Sequence, residues 1–206
     1  MNEKIEWRKS EPRYKTKKPE LLLLPQQSYF MIDGLGDPNK EDFQRRVAAL
    51  YPATYAIRMS QKNDWEIPDF QLYTVYPLEG YWTVQKQYYG QELQKDHFAY
   101  TLMIKQPDFV TPAVAAEALE RAKSKITEDL FSEIRFETVS EKEVAQVLHI
   151  GSFDDEPATF ERLHQFIEES GYQRISKDHK EVYLSDPRKV APEKLKMILQ
   201  VDVAKN

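Results

Sequence analysis

The chain has 206 residues, 41% hydrophobic and 31% charged, with a net charge of −5. That length buries a sizeable core in one domain, and that composition is too apolar for a disordered chain. A mildly acidic chain without a basic stripe argues against binding to a phosphate backbone, and the absence of cysteine excludes thiol catalysis, disulfides and thiolate metal sites.

Residues 1–20 carry basic residues (Arg8, Lys9, Lys15, Lys17, Lys18) alternating with Glu6 and Glu11, and have Trp7 and Tyr14 as their large anchors. They read as an extended, solvated arm that docks onto the body, which spans 21–206 as a single domain. The longest apolar run, 21–24, is far too short to span a membrane or to serve as a signal sequence, so no membrane partner is expected and the cytoplasm is the default location. Residues 27–33 read as a strand ending at Gly34. Asp37 and Pro38 then cap a helix with Phe43, Val47 and Leu50 at core spacing, broken or kinked at Pro52 and continuing through Met59. Strands are predicted at 70–76, 81–88 and 97–105, and a helix over 112–130. The segments 134–139 and 143–150 read as paired strands. After a turn at 151–157, a helix over 157–169 carries Phe160, Leu163 and Ile167 on one face and ends at the cap residue Gly171. Strands at 180–184 and 196–203 close the chain.

Gly34, Asp37, Phe43, Leu50 and Tyr55 recur as Gly151, Asp154, Phe160, Ile167 and Tyr172, each displaced by 117 positions. The expected fold is therefore α+β: two βαββ units, 27–106 and 134–203, forming antiparallel sheets with a ligand groove between the halves. The chain carries 12 Tyr, 10 Phe and 3 Trp. Most of these fill the core, but the excess of Tyr over Phe favours an aromatic-lined pocket, with Tyr55, Tyr73, Trp82 and Tyr100 as candidate walls. Six glycines, with no P-loop and no GxGxxG, argue against a phosphate cradle. There is no GxSxG elbow. The four histidines show no HxxxH spacing and no adjacent carboxylate pattern, so no metal is expected, and His149 reads as structural unless the ligand reaches it.

The segment HKEVYLSDPR is the most distinctive. Strand alternation puts Val182 and Leu184 on one face and Glu181 with Tyr183 on the other. If Val182 and Leu184 face the helices, Glu181 faces the opposite surface. There it is an ordinary charge if that surface is water, and a usable base or counter-charge if it is a concave aromatic cleft. Glu79, before Gly80, reads as a turn residue that is a second candidate. Phe153 and Tyr183 complete the expected ligand contacts.

The stretches KPELLLLPQQSYFMIDGLGDPN, YPLEGYW, TLMIKQPDFVTP, HIGSFDDEPATFERLHQFIEESGY and EVYLSDPRKVAPEKLKMIL together resemble GyrI-like small-molecule-binding domains, from about residue 19 to the C-terminus. The resemblance implies a duplicated βαββ fold with a central groove. It also implies that Glu181 matches a buried Glu that meets cationic aromatic ligands in multidrug-sensing regulators. Members with the PLEG, QPDFVT and YLSDPR motifs look like hydrolases of cyclopropane-bearing DNA alkylators. With no helix-turn-helix segment ahead of the domain, this chain is expected to be a stand-alone member. It departs from the pattern at Tyr81, where Leu is common, and at Tyr100, where Trp is also seen. Three functions follow: a cofactor-independent hydrolase with Glu181 as the catalytic residue, a binding or sensing protein for flat aromatic or cationic small molecules, and a gyrase-interacting protein. Direct nucleic-acid binding is not expected.

Overall fold

The computed structural model describes residues 4–206, apart from the side chain of Asp154. Residues 1–3 of the expected arm, and the Asp154 side chain expected to lead a helix, lie outside the described residues.

The start of the arm is coiled rather than extended: α1 (Trp7–Ser10) and a 3-10 turn at Pro12–Tyr14 bury Trp7 and Tyr14. Next come β1 (Glu20–Leu24), β2 (Gln27–Leu35), α2 (Glu41–Arg58), β3 (Leu78–Val84) and β4 (Phe98–Lys105). Two short helices, α3 (Pro112–Ala122) and α4 (Glu128–Phe131), lead to β5 (Arg135–Val139) and β6 (Lys142–Ile150). The chain ends with α5 (Glu156–Glu169), β7 (Tyr172–Arg174), β8 (His179–Tyr183) and β9 (Lys196–Lys205). The strands form one antiparallel sheet in the order β1-β6-β9-β8-β3-β4-β2-β5, with β7 attached to β9. The result is a mixed α and β fold built on a multi-stranded antiparallel sheet. No helix among the described residues is long and apolar enough to cross a membrane.

Local chemistry explains most of the elements. Glu41 and Asp42 lie in the first turn of α2 and Arg58 in its last, which suits the helix dipole. Asp37 does not cap this helix; it accepts the Asn39 N–H at 2.9 Å in the preceding turn. Pro52 lies inside α2, yet the helix runs on through Arg58 without the expected break. Thr111 caps α3 by accepting the Val114 N–H at 3.3 Å, and Pro112 opens the helix without wasting a donor. The helix predicted over 112–130 ends at Ala122. Ile126 then adopts extended backbone, and it and Leu130 are buried in the same core as α3.

Three strand predictions need correction. Residues 70–76 form no ladder: Tyr73 makes an isolated bridge to Ile5, whose N–H donates to Leu72 O at 2.7 Å and whose carbonyl accepts the Thr74 N–H at 2.9 Å. The predicted strand 81–88 starts earlier and stops at Val84, where the chain coils into a 3-10 turn. Finally, β5 and β6 do not pair with each other. β5 pairs with β2, and β6 lies between β1 and β9.

The β5–β6 result shapes the whole sheet. Two residues, 140–141, join β5 to β6, and two, 25–26, join β1 to β2, although each link connects strands from opposite ends of the order. A link that short spans on the order of 10 Å. The sheet must therefore curl until its ends approach, leaving an inner and an outer face. Register assigns the residues. Leu102, Gly80, Glu181, Leu199 and Val147 form one row across β4, β3, β8, β9 and β6. Leu199 and Val147 pack with Leu163 and Ile167 of α5, so this row faces the helices. The adjacent row, Met103, Glu79, Val182 and Ile198, faces inward toward the arm.

Candidate functional site around Glu181

At the middle of the sheet β3 pairs with β8, placing Gly80 opposite Glu181 and Trp82 opposite His179. Helix α2 packs on β2 and β4 to one side, and α5 packs on β6 and β7 to the other. The expected condition on Glu181 is therefore reversed. Val182 turns inward, while Glu181 and Tyr183 share the helix-covered face. The reason is that both faces of β8 are covered, one by helices and one by the arm, so alternation alone could not say which was which.

Glu181 is 7% exposed. His179 Nε2 lies 3.1 Å from its Oε1. The Tyr183 hydroxyl lies close enough to the same carboxylate to feel its charge and accepts the Trp82 indole N–H at 3.2 Å. Burial, and then the Glu181 charge, push the Tyr183 phenol well above its ordinary value, so it stays neutral and able to donate. The His179 ring stands edge-on to Phe160 of α5 with centroids 5.0 Å apart. Trp82 stacks on Phe43 of α2 at 5.9 Å and also contacts Tyr100 at 5.1 Å and Phe98 at 5.7 Å. Tyr100 in turn lies over Gly34, where a Cβ would come within 2.2 Å of its ring.

Glu156, in the first turn of α5, completes the group. One ligand atom each from Glu156, His179 and Glu181 lie within 4.8 Å of one another. Among the described residues this is the one group whose donor types and spacing suit a divalent cation. Two of its members, His179 Nε2 and Glu181 Oε1, are already hydrogen-bonded to each other.

The other predicted site residues lie elsewhere. Glu79 is within β3 rather than on a turn. It is fully buried on the inner face, where Oε1 accepts from Arg13 Nη2 at 3.0 Å and Oε2 pairs with Lys180 Nζ at 2.7 Å. Burial pushes its carboxyl up, but Lys180 and Arg13 outweigh this and hold it below the ordinary glutamate value. Tyr73 is a core residue whose hydroxyl donates to Thr54 O at 3.2 Å. His149 is buried: its Nε2–H donates to Ser152 O at 2.9 Å and Nδ1 accepts from the Thr159 hydroxyl at 2.9 Å, which fastens α5 to the turn before it. Tyr55, on α2, is half exposed and packs beside Tyr51. Phe153 is also half exposed, in the turn before α5. An open concavity of about 530 Å³ lies away from Glu181, at the outer ends of β3 and β4; it is lined by Leu35, Val84, Gln87 and Tyr89 among others. It contributes no carboxylate and no imidazole.

The sequence reading missed His179, Glu156 and Phe43 as members of this group. His179 was within reach of it: positions i and i+2 on a strand share a face, and the HKE triplet puts His and Glu at that spacing. Glu156 and Phe43 arrive by tertiary packing from the two helices, and no local pattern signals them.

The model of the GyrI-like small molecule binding domain matches residues 17–204. Two crystal structures of hydrolases from Listeria innocua are similar to this chain, at 34% identity with TM-score 0.87 and at 33% with TM-score 0.86. A third, of an uncharacterized conserved protein from the same organism, is 36% identical with TM-score 0.88. Each alignment covers 98% of this chain and all of the other. No curated protein matches the chain. The extent of these matches, over a sheet whose middle presents a buried carboxylate among aromatic rings, shows that the chain belongs to the GyrI-like small-molecule-binding domain family.

Proposed function

We propose that this protein is a hydrolase that adds water to the strained ring of cyclopropane-bearing DNA-alkylating compounds, with Glu181 as the base. The observation that carries the proposal is the arrangement at the β3–β8 pair: a buried carboxylate hydrogen-bonded to an imidazole, beside a neutral tyrosine that a stacked tryptophan holds. The hydrolase relatives at 33–34% identity support the reaction class. Glu181 takes a proton from water as the oxygen bonds to the ring methylene. The ring C–C bond breaks, and its electron pair moves to the ligand's conjugated carbonyl oxygen, which takes a proton to become a hydroxyl. The net change is addition of one water. Strain supplies much of the driving force, so one oriented base suffices.

The pairing orders support the duplicated reading. The run β2–α2–β3–β4 lies as β3-β4-β2, and the run β6–α5–β8–β9 lies as β8-β9-β6. We read these as two βαββ copies meeting at β3–β8, with the ligand entering between α2 and α5.

The test is incubation of such a compound with wild type and Glu181→Gln, following the product heavier by one water. Turnover by wild type is expected, with kcat lower by on the order of 100-fold or more in the variant. Turnover unchanged in Glu181→Gln would remove the base. The same carboxylate beside Trp82 also suits a lipophilic aromatic cation. Tight binding of such a cation that weakens in Glu181→Gln, without any hydrolysis by wild type, would establish that binding role instead.

A further inference from the structure

We propose that His179 is the positioning residue for Glu181: by donating Nε2–H to Oε1 it turns the carboxylate so that the remaining oxygen is presented to water. This rests on the hydrolytic reading above. A glutamate side chain has several rotatable bonds, and a base that samples many rotamers is a poor one. Two neighbours restrict Glu181. On one side it meets the neutral Tyr183 phenol, itself held by the Trp82 indole. On the other stands the hydrogen-bond donor, His179 Nε2, 3.1 Å from Oε1.

The imidazole is well placed for this role. It is two residues from Glu181 on the same strand and the same face, so the backbone fixes their separation. Its ring is braced edge-on by Phe160, 5.0 Å away, and Trp82 faces it across the β3–β8 pair. Glu156 brings a second carboxylate to within 4.8 Å of both partners. An N–H aimed at Glu181 fixes which way its carboxylate points beside that second carboxylate. The arrangement requires the tautomer with the proton on Nε2.

Two substitutions separate positioning from packing. His179→Phe keeps a ring against Phe160 and removes the donor. His179→Gln restores an N–H of similar reach. With a cyclopropane-bearing compound as substrate, His179→Phe should lose about 10-fold or more in kcat with KM nearly unchanged, and His179→Gln should recover part of that loss. Equal kcat in wild type and His179→Phe, or equal losses in both variants, would overturn the proposal. A second measurement does not depend on turnover. Ring ¹⁵N NMR of the intact protein should show His179 protonated at Nε2, with that resonance shifted in Glu181→Gln. A proton on Nδ1 instead, or a resonance indifferent to Glu181→Gln, would also overturn it. If wild type turns over no such compound, the hydrolytic reading fails while the NMR result still decides whether His179 holds Glu181.

Discussion

A methyl group added at Gly80 would lie 2.8 Å from Trp82 Nε1 and 3.1 Å from the Tyr183 hydroxyl. Glycine is therefore required here to make room for the indole–phenol contact rather than for an unusual backbone angle. Gly80→Ala should force the Trp82 and Tyr183 side chains apart. The expected outcome is a stability loss of about 1–3 kcal/mol, read as a lower urea midpoint, together with a drop in kcat/KM beyond what lost stability explains. Full activity in Gly80→Ala would show that the Trp82–Tyr183 contact does not serve the site. Alternation on β8 made the shared face of Glu181 and Tyr183 legible from the sequence. Which face that was depended on the arm, whose Arg13 and Tyr14 cover the other side. Tyr73 and His149 were attractive as pocket residues by type, but type does not distinguish a ring that fills the core or fastens a turn from one that meets a ligand.

At the level of elements, the arm and the sheet are joined by buried charges. Arg13 donates to Glu79 from the arm, and Arg13 Nε reaches Glu11 Oε2 at 3.3 Å. Glu11 also accepts Lys105 Nζ at 2.9 Å and the Tyr76 hydroxyl at 2.6 Å. Gln146 Nε2, from β6, donates to Arg13 O at 2.8 Å. Removing one partner of a buried ion pair leaves the other uncompensated, so Arg13→Met should cost about 3 kcal/mol or more, measured by urea unfolding at neutral pH. The pH dependence has a definite sign. Lys180 and Arg13 hold Glu79 below its ordinary value against the upward push of burial, so the folded state binds this proton less readily than the unfolded chain. Its stabilisation is complete above the ordinary glutamate range and is lost as pH falls through the folded value. The urea midpoint should fall on acidification below that range, and Glu79→Gln should flatten this limb of the profile. An identical acid limb in Glu79→Gln would assign it to other carboxylates. None of this network was visible as a motif. Glu79 read as a turn residue because the sequence before Gly80 looks like a turn, whereas Gly80 is in mid-strand to clear Trp82 and Tyr183.

Across the whole molecule, the continuous ladder through β3 and β8 has a consequence for unfolding. The succession of strands and helices was largely legible from hydrophobic period and turn residues, although the recurrence pairs Tyr55 of α2 with Tyr172 of β7. The long-range pairing was not. Adjacent strands β5 and β6 part to opposite ends of the strand order, because a curled sheet brings those ends within reach of a two-residue link. The two sides carry separate hydrophobic clusters, but the sheet is continuous through the β3–β8 pair, where Gly80 and Trp82 from one side and Glu181 and Tyr183 from the other meet. They should therefore unfold together. All three tryptophans (Trp7, Trp65 and Trp82) precede β5, so their fluorescence reports the first part of the chain, whereas far-UV circular dichroism reports both. Urea transitions followed by the two signals should coincide. A fluorescence transition displaced from the dichroism transition would mean that the β3–β8 ladder opens before the two sides unfold. Glu181, whose surroundings come from both sides, would then lose Trp82 while its own strand remained folded.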